Sequence, residues 1–523
     1  MAFALLSVAL TGFVALSYEI IWYRAYAFAS GNHPTGFGLL LGFYLAGIAI
    51  GSLASRFYCH SGNQVGNPKQ IRALAVYLLI ANVISFLVVP CLAWMVTFTW
   101  WIFSFGLVWL AATLLGATLP LISHFAVKPD HKAGARLSYL YLANIVGSAA
   151  GSFLTGFVLF DTWPLEGVAL FQLCVGVLIA AGMYVYSGQF SRVSYVQAVL
   201  TAGILLGGCS LAMPTLYGEI YEKMQFGANY DQSPKFTRIV ENRHGVITVT
   251  SDSQVYGGGA YDGRVTTDLV DDQNWIVRAY AISAFHANPR RVLMVGMATG
   301  AWAQVIAHMP GVETLTVVEI NPGYLEIIRH YPEVQSLLTN PKVEIVIDDG
   351  RRWLQRNPHR QFDVIVQNTT WHWRAHSTNI LSKEYLELTK SRMDSRGVLV
   401  YNTTWSDDAQ RTAVEVFPFA VRLFNCMVAS GAPVVWDDQR LAAALTAWAI
   451  DGQPVLNLSV AKHRTRLEQV LKIDDTMALA PRREGVESVE SILSRTKDAV
   501  VITDDNMACE WAFLRSKTKD SLK

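Results

Sequence analysis

The sequence predicts two fold classes in one chain. Residues 1–214 read as a multi-span α-helical membrane domain, and residues 271–523 as an α/β domain of Rossmann type. A small β-hairpin subdomain and linker, 215–270, lies between them. Three features carry this reading. The charges are segregated, the first part holds seven long apolar stretches, and Arg291–Asn321 reads strand, glycine turn, helix, strand, acid.

Of the 42 Lys/Arg and 41 Asp/Glu, residues 1–214 hold 8 and 4; the other 34 and 37 lie in 215–523. Whole-chain averages, 52% hydrophobic and a net charge of +1, conceal that division. A slightly acidic soluble half gives no reason to expect nucleic-acid binding. Cys59, Cys91, Cys174, Cys209, Cys426 and Cys509 are scattered, with no CxxC and no histidine pairing. They imply neither zinc nor a disulfide framework, and no metal is expected.

Stretches long enough to span a bilayer fall near 3–29, 36–57, 71–96, 98–126, 138–160, 165–187 and 193–213. The first is too long, and followed by too many others, to be a cleaved signal peptide. Connections holding Arg56, Lys69 and Arg72, then Lys128, Lys132 and Arg136, then Arg192 share one side; Asp161 and Glu166 lie on the other. The positive-inside rule then places the N-terminus in the cytoplasm. Seven full spans would leave the C-terminal domain outside, where nucleotide cofactors are scarce. Either one segment is re-entrant or interfacial, with 193–213 the first suspect, or the count is wrong. Gly47/Gly51, Gly147/Gly151 and Gly203/Gly207 are small-xxx-small pairs that allow close helix packing. Glu19 and Arg24 are ionisable groups in or near a membrane helix, costly unless paired. They fit an ion pair with a neighbouring helix or a contact to a polar lipid or substrate. Gly116–Pro120, GATLP, reads as a break near a helix end.

In the soluble half, FTRIVEN and GVITVTSD alternate like strands and lead to the turn-rich YGGGAYDG. A helical stretch, NWIVRAYAISAFHANP, precedes VLMV and the turn Gly296–Gly300, whose small residues let the backbone approach a ligand. The second strand, TLTVV, ends at Glu319, where a carboxylate can take both hydroxyls of a ribose. KVEIVIDDG ends in Asp348 and Asp349, and FDVIVQN ends at Asn368 before a polar-aromatic loop and a helix. GVLVYNTT is a fifth strand. This alternation indicates a doubly wound, mostly parallel sheet with ligands at the carboxyl ends of its strands.

With VLMVGMATG, VVEIN, IDDGRRWL and FDVIV together, the soluble half resembles the spermidine synthase (aminopropyltransferase) family, which uses the class I methyltransferase fold. SYEIIWYR, GATLP and LYLANIVGSAAG, with HANPRRVLMVG and ITDDN, resemble its fused form, in which a multi-span membrane region precedes a spermidine-synthase-like domain. The resemblance implies that Gly296, Ala298, Thr299 and Gly300 hold the nucleoside's sulfur end and that Glu319 holds its ribose hydroxyls. It also implies that Asp348, with Asp349, approaches the adenine amino group. One of those two acids serves equally well as the N-cap of GRRWL.

Two departures bear on the chemistry. The family's glycine turn, GGGDGG, carries an acid that receives an aminopropyl ammonium; here Thr299 stands there. The family's aspartate after the fourth strand orients and deprotonates the attacking amine; here it is Asn368. An alkylamine with a pKa of roughly 10 is mostly protonated at neutral pH. Asn can orient it but cannot take its proton. His372 and His376 are candidate substitutes as base. Arg374 is suited to a carboxylate or phosphate, and Trp371 and Trp373 to a nucleoside, a cation or the membrane surface.

The expectation is therefore a membrane-integrated transferase of the bacterial inner or plasma membrane type, with its catalytic domain in the cytoplasm. S-adenosylmethionine or decarboxylated S-adenosylmethionine is the donor. A polyamine, another amine or a lipid headgroup is the acceptor. Methyl or 3-amino-3-carboxypropyl transfer is the rival chemistry, and a transporter or sensor with a regulatory nucleoside site is the rival class. Self-association is compatible with all of these.

Overall fold

The structure, a computed structural model, describes residues 1–59, 67–368, 371–473 and 485–511. Thr369 and Thr370 of the QNTTW loop, and the end of the C-terminal run beyond Trp511, lie outside the described residues. The chain divides into two compact units: Met1–Lys235 with Glu241–Val246, and Phe236–Val240 with Ile247–Lys523.

In the first unit every apolar stretch is helical: α1 (Ala2–Ala29), α2 (Pro34–Ala54), α3 (Pro68–Val96), α4 (Phe105–Gly116), α5 (Thr118–Ala126) and α6 (Ala133–Leu154). α6 passes through a π turn, Thr155–Leu159, into the short α7 (Phe160–Thr162), and α8 (Leu165–Ser187), α9 (Arg192–Tyr217) and α10 (Ile220–Phe226) follow. Among the described residues, seven helical segments are long and apolar enough to cross a membrane, the last being Arg192–Asn229. The break expected at GATLP separates α4 from α5. α9 is unbroken, so a re-entrant turn within 193–213 is ruled out. Residues 215–229 are largely helical, and the first strand starts at Phe236.

Where helices touch, the glycines decide the spacing. A Cβ on Gly147 or Gly151 of α6 would overlap the backbone carbonyls of Ala9 and Phe13 on α1. A Cβ on Gly47 would come 2.7 Å from the Trp109 carbonyl on α4, and one on Gly51 would overlap that of Thr113. Gly203 and Gly207 face open space among the described residues, so the third small-residue pair meets none of them. Arg24 is paired, but not with another helix. Its guanidinium lies 3.5 Å from the Glu241 carboxylate, donates to the Gly245 carbonyl at 2.9 Å and sits 4.2 Å from the Phe160 ring centroid. Glu241 also accepts the Leu165 N–H, which starts α8, at 3.0 Å. Burial pushes the Glu241 carboxyl up, and Arg24 opposes it. Glu19 is half-buried and makes no ion pair among the described residues.

A four-stranded sheet in sequence order follows, β1 (Phe236–Asn242), β2 (Gly245–Thr250), β3 (Gln254–Gly257) and β4 (Ala260–Arg264), of which Glu241–Val246 belongs to the first unit and the rest to the second. Next come α11 (Val277–Tyr280), β5 (Arg291–Val295), α12 (Ala301–Ala307), β6 (Thr314–Glu319), α13 (Gly323–Arg329), β7 (Val343–Ile347), α14 (Gly350–Arg356) and β8 (Phe362–Gln367). α15 (Lys383–Lys390), β9 (Met393–Asn402), α16 (Asp407–Val416), β10 (Phe419–Leu423) and β11 (Cys426–Ser430) complete the alternation. β12 (Ala449–Ile450) and β13 (Gln453–Pro454) form a separate ribbon, and β14 (Val486–Glu487) joins the main sheet.

The main sheet has the order β14-β10-β11-β9-β8-β5-β6-β7. The five strands from β9 to β7 are parallel; β11, β10 and β14 are antiparallel. The sheet is thus mixed. Only Phe424 and Asn425 link β10 to β11, a connection too short for anything but a hairpin. Both faces are covered: Val292 and Met294 enter one core cluster, Leu293 and Val295 the other. That is why VLMV shows no polar alternation. β5 lies between β6 and β8, so the chain leaves its two neighbours in opposite directions and opens a crevice at their carboxyl ends.

Gly147→Leu should lower thermal stability in detergent by about 1–3 kcal/mol, because overpacking forces α1 and α6 apart. Gly203→Leu should stay within about 0.5 kcal/mol of the parent. Equal melting temperatures for the two variants would contradict this assignment of contacts.

Candidate functional site

At the crevice, β5 ends in Gly296 (φ +81°) and the turn closes at Gly300 (φ +78°), the residue before α12. Gly300 has a second constraint: a Cβ there would come 2.8 Å from Ile328 Cδ1. Ala298 also has positive φ (+48°) without glycine's freedom, a strained geometry that costs on the order of 1–3 kcal/mol. The strain is held by Glu319. Its Oε2 accepts the N–H groups of Met297 (2.7 Å) and Ala298 (3.4 Å), and its Oε1 accepts that of Asn321 (2.8 Å). Burial pushes this carboxyl up, while the three N–H donors stabilise its charge. Glu319 therefore shapes the turn and, with its remaining lone pairs, can still face a ribose. Thr299 is buried, and its Oγ1 accepts the Ala301 N–H at 3.2 Å, at the start of α12.

Asp348 follows β7, and its N–H bonds the Glu319 carbonyl at 3.1 Å, so the two acids lie on adjacent strand ends. Burial works against the Asp348 carboxylate, but Arg352 (Nε 2.8 Å) outweighs it and holds the group below the usual range. Asp349 is the N-cap of α14 and accepts the Arg352 N–H at 2.8 Å. Of the two readings open for this pair, the cap falls to Asp349, leaving Asp348 beside Glu319.

The opposite wall comes from β3 and β4. Asp262 lies 3.8 Å from Arg374, accepts a hydrogen bond from Tyr324 Oη, and has its carboxyl pushed up by burial. Arg374 also donates to the Gly257 carbonyl at 3.0 Å, and Trp371 Nε1 to that of Tyr261 at 2.9 Å. The guanidinium is thus engaged by protein groups. Trp371 and Trp373 pack with ring centroids 6.2 Å apart.

Asn368 and His372 belong to one chain of hydrogen bonds. Asn402 Nδ2 donates to Asn368 Oδ1 (3.2 Å), and Asn402 Oδ1 accepts the Thr404 N–H (2.8 Å). Thr404 Oγ1 accepts the His372 N–H (3.0 Å) and lies 2.7 Å from His372 Nδ1. Burial holds His372 below its ordinary value, against the lifting influence of Thr404 and Asp408. His376 is exposed with φ +69°, and its side chain joins none of these contacts, so it is not brought to the cleft. Glu384 caps the Asp504 N–H at 3.0 Å; Asp504 pairs with Arg351 (2.6 Å) and Ser382 (2.6 Å), structural roles for both.

Asp262, Tyr324, Asn402 and Thr404 were not singled out from the sequence. For the last two a signal exists. Asn-Thr-Thr-Trp occurs twice, at 368–371 and 402–405, directly after β8 and β9, where Gln367 and Tyr401 are in register. Adjacent parallel strands carrying the same tetrapeptide place Asn368 beside Asn402. Asp262 sat in a glycine-rich turn and had no comparable signal.

The fold defines a Rossmann-like α/β domain with a mixed sheet and a cleft at the carboxyl ends of its parallel strands. More specifically, residues 280–422 match the family described as Spermine/spermidine synthase domain. It is 29% identical over 119 residues to the Polyamine aminopropyltransferase of Agathobacter rectalis, covering 23% of this chain and 41% of that protein. It is 26% identical over 287 residues to Polyamine aminopropyltransferase 2 of Streptomyces coelicolor, covering 53% and 50%. The chain thus spans about half or less of the length of these curated relatives. A spermidine synthase solved in complex with the transition-state analogue AdoDATO is 16% identical, with a TM-score of 0.36 over 47% of this chain and 87% of that one.

Glu319→Gln would turn an amide NH2 toward backbone N–H donors. Methylthioadenosine binding, read by calorimetry, should weaken by about tenfold or more, equivalent to roughly 1.4 kcal/mol, and the melting temperature should fall with it. Unchanged affinity would remove Glu319 from the ligand site.

Proposed function

We propose that the chain is a membrane-integrated transferase whose second unit moves the aminopropyl group of decarboxylated S-adenosylmethionine to an amine. The observation that carries the reading is Glu319, whose carboxylate sits at the end of β6 between the turn Gly296–Gly300 and Asp348. The matched domain and the names of the relatives support the same reaction class.

In the step itself the amine nitrogen attacks the methylene carbon bonded to the sulfonium. A C–N bond forms as the C–S bond breaks, the electron pair stays on sulfur, and methylthioadenosine leaves. The sulfonium is already activated, so this chain's residues act mainly by positioning. Gly296, Ala298, Thr299 and Gly300 receive the sulfur end, Glu319 the ribose, and Asp348 the adenine edge. Seven helices of sufficient length and apolarity support membrane integration. A nucleotide donor favours a cytoplasmic domain, and with a cytoplasmic N-terminus that requires one of the seven helices to lie at the membrane interface rather than across it.

Thr299 and Asn368, neutral where an acid is expected, favour a second reading: methyl or 3-amino-3-carboxypropyl transfer from intact S-adenosylmethionine. The released nucleoside decides. Purified protein given spermidine and decarboxylated S-adenosylmethionine should release methylthioadenosine, identified by mass spectrometry. S-adenosylhomocysteine formed from S-adenosylmethionine alone would replace the aminopropyl reading with methyl transfer. Methylthioadenosine formed only from intact S-adenosylmethionine would indicate carboxypropyl transfer.

A further inference from the structure

The cleft holds a hydrogen-bonded pair whose geometry settles a tautomer. Thr404 Oγ1 has three close partners: the His372 N–H (3.0 Å), His372 Nδ1 (2.7 Å) and the Thr403 carbonyl (2.9 Å). A hydroxyl has one hydrogen and two lone pairs, and a carbonyl can only accept. All three contacts are satisfied together only if the hydroxyl donates to Thr403 and both His372 nitrogens donate to Oγ1. His372 then carries its hydrogen on Nδ1, and the lone pair resides on Nε2, which has no partner among the described residues.

The surroundings fix this arrangement. Ser377 Oγ donates to the His372 carbonyl at 2.6 Å, and Asn402 holds the Thr404 N–H. Thr404 (φ +46°) and Trp405 (φ +69°) are consecutive non-glycine residues in left-handed geometry, so the side chain of Thr404 is presented at the expense of backbone strain. Asn402 reaches Asn368, the position where the aspartate is absent. The charged groups near the ring are Asp408, on α16, and Arg374, on its own loop, which Asp262 and the Gly257 carbonyl occupy.

We propose that His372 Nε2 is the proton acceptor for the attacking amine, with Thr404 as its positioning residue and Asn402 tying the pair to Asn368. This rests on the aminopropyl-transfer reading. An ammonium in the cleft gives one proton to Nε2, and the free amine attacks the carbon next to sulfur. The product amine departs as an ammonium, and the imidazolium returns its proton to water. Because burial keeps His372 low, the neutral base persists at neutral pH; activity is lost as pH falls through the depressed value.

The test uses full-length protein in detergent, decarboxylated S-adenosylmethionine and spermidine, with methylthioadenosine release followed from pH 6 to 9.5. His372→Gln should lower kcat/KM by about a hundredfold at pH 7, and the deficit should shrink toward pH 9.5, where the amine needs less help. Thr404→Val should lose about tenfold at pH 7, and Thr404→Ser should recover it. A His372→Gln deficit equal at both pH values, or wild-type rates in Thr404→Val, would overturn the proposal. Diethyl pyrocarbonate, which acylates an unprotonated ring nitrogen, gives a readout independent of turnover. His372 should be modified at pH 6 in the wild type, and more slowly when methylthioadenosine and spermidine are present. A His372 refractory to the reagent overturns the assignment of the lone pair. Modification of His372 in a protein that releases no methylthioadenosine would instead uphold that assignment and sink the aminopropyl reading.

Discussion

The cleft depends on one buried carboxylate. Removing Glu319 from water would be prohibitive without partners, and its partners are the backbone N–H groups of Met297, Ala298 and Asn321. The interaction acts in two directions. Burial pushes the carboxyl up and the N–H groups oppose it, and the carboxylate holds a turn that includes the strained Ala298. The turn, the start of α12 and the ends of β5 and β6 are thereby set before any ligand arrives. Preorganisation of this kind suits a site whose substrate already carries its activating charge.

The two sides of the cleft differ in charge. On the nucleoside side stand Glu319 and Asp348. On the other, Asn368, Asn402, Thr404, Thr299 and His372 are neutral, and Asp262 is engaged by Tyr324 and Arg374. A linear polyamine brings several ammonium groups, each of which loses hydration on entry. A wall of this composition offers oriented dipoles in place of compensating carboxylates. On the proposed aminopropyl-transfer reading, deprotonation is the step at which this domain differs most from one carrying an aspartate at position 368.

Much of this was legible in the sequence because local pattern and tertiary role coincide. VLMV, TLTVV and FDVIV are buried on both faces, and an acid at the end of the second strand needs only correct spacing to be placed. The break at Gly116–Thr118 likewise follows from local chemistry. The rest depends on contacts distant in sequence. Asp262 meets Arg374 across more than a hundred residues, and Thr404 meets His372 from the next strand. Arg24 finds Glu241 on a strand where a neighbouring helix had been expected. Asp349 could be read as ligand or cap until its bond to the Arg352 N–H decided it. Gly203 and Gly207 show the converse: a helix-packing signature with none of the described residues packed against it.

In the first unit, Gly147 and Gly151 bring α6 against α1, while Glu241 and Phe160 hold Arg24 of α1. The account as a whole stands on the nucleoside cleft, and the most direct test is a cryo-EM or crystal structure of the full chain with methylthioadenosine bound. It predicts both ribose hydroxyls within about 3 Å of the Glu319 carboxylate, with the turn Gly296–Gly300 unmoved and the adenine edge at Asp348. A nucleoside bound elsewhere, or a Glu319 that keeps only its backbone partners, would contradict it.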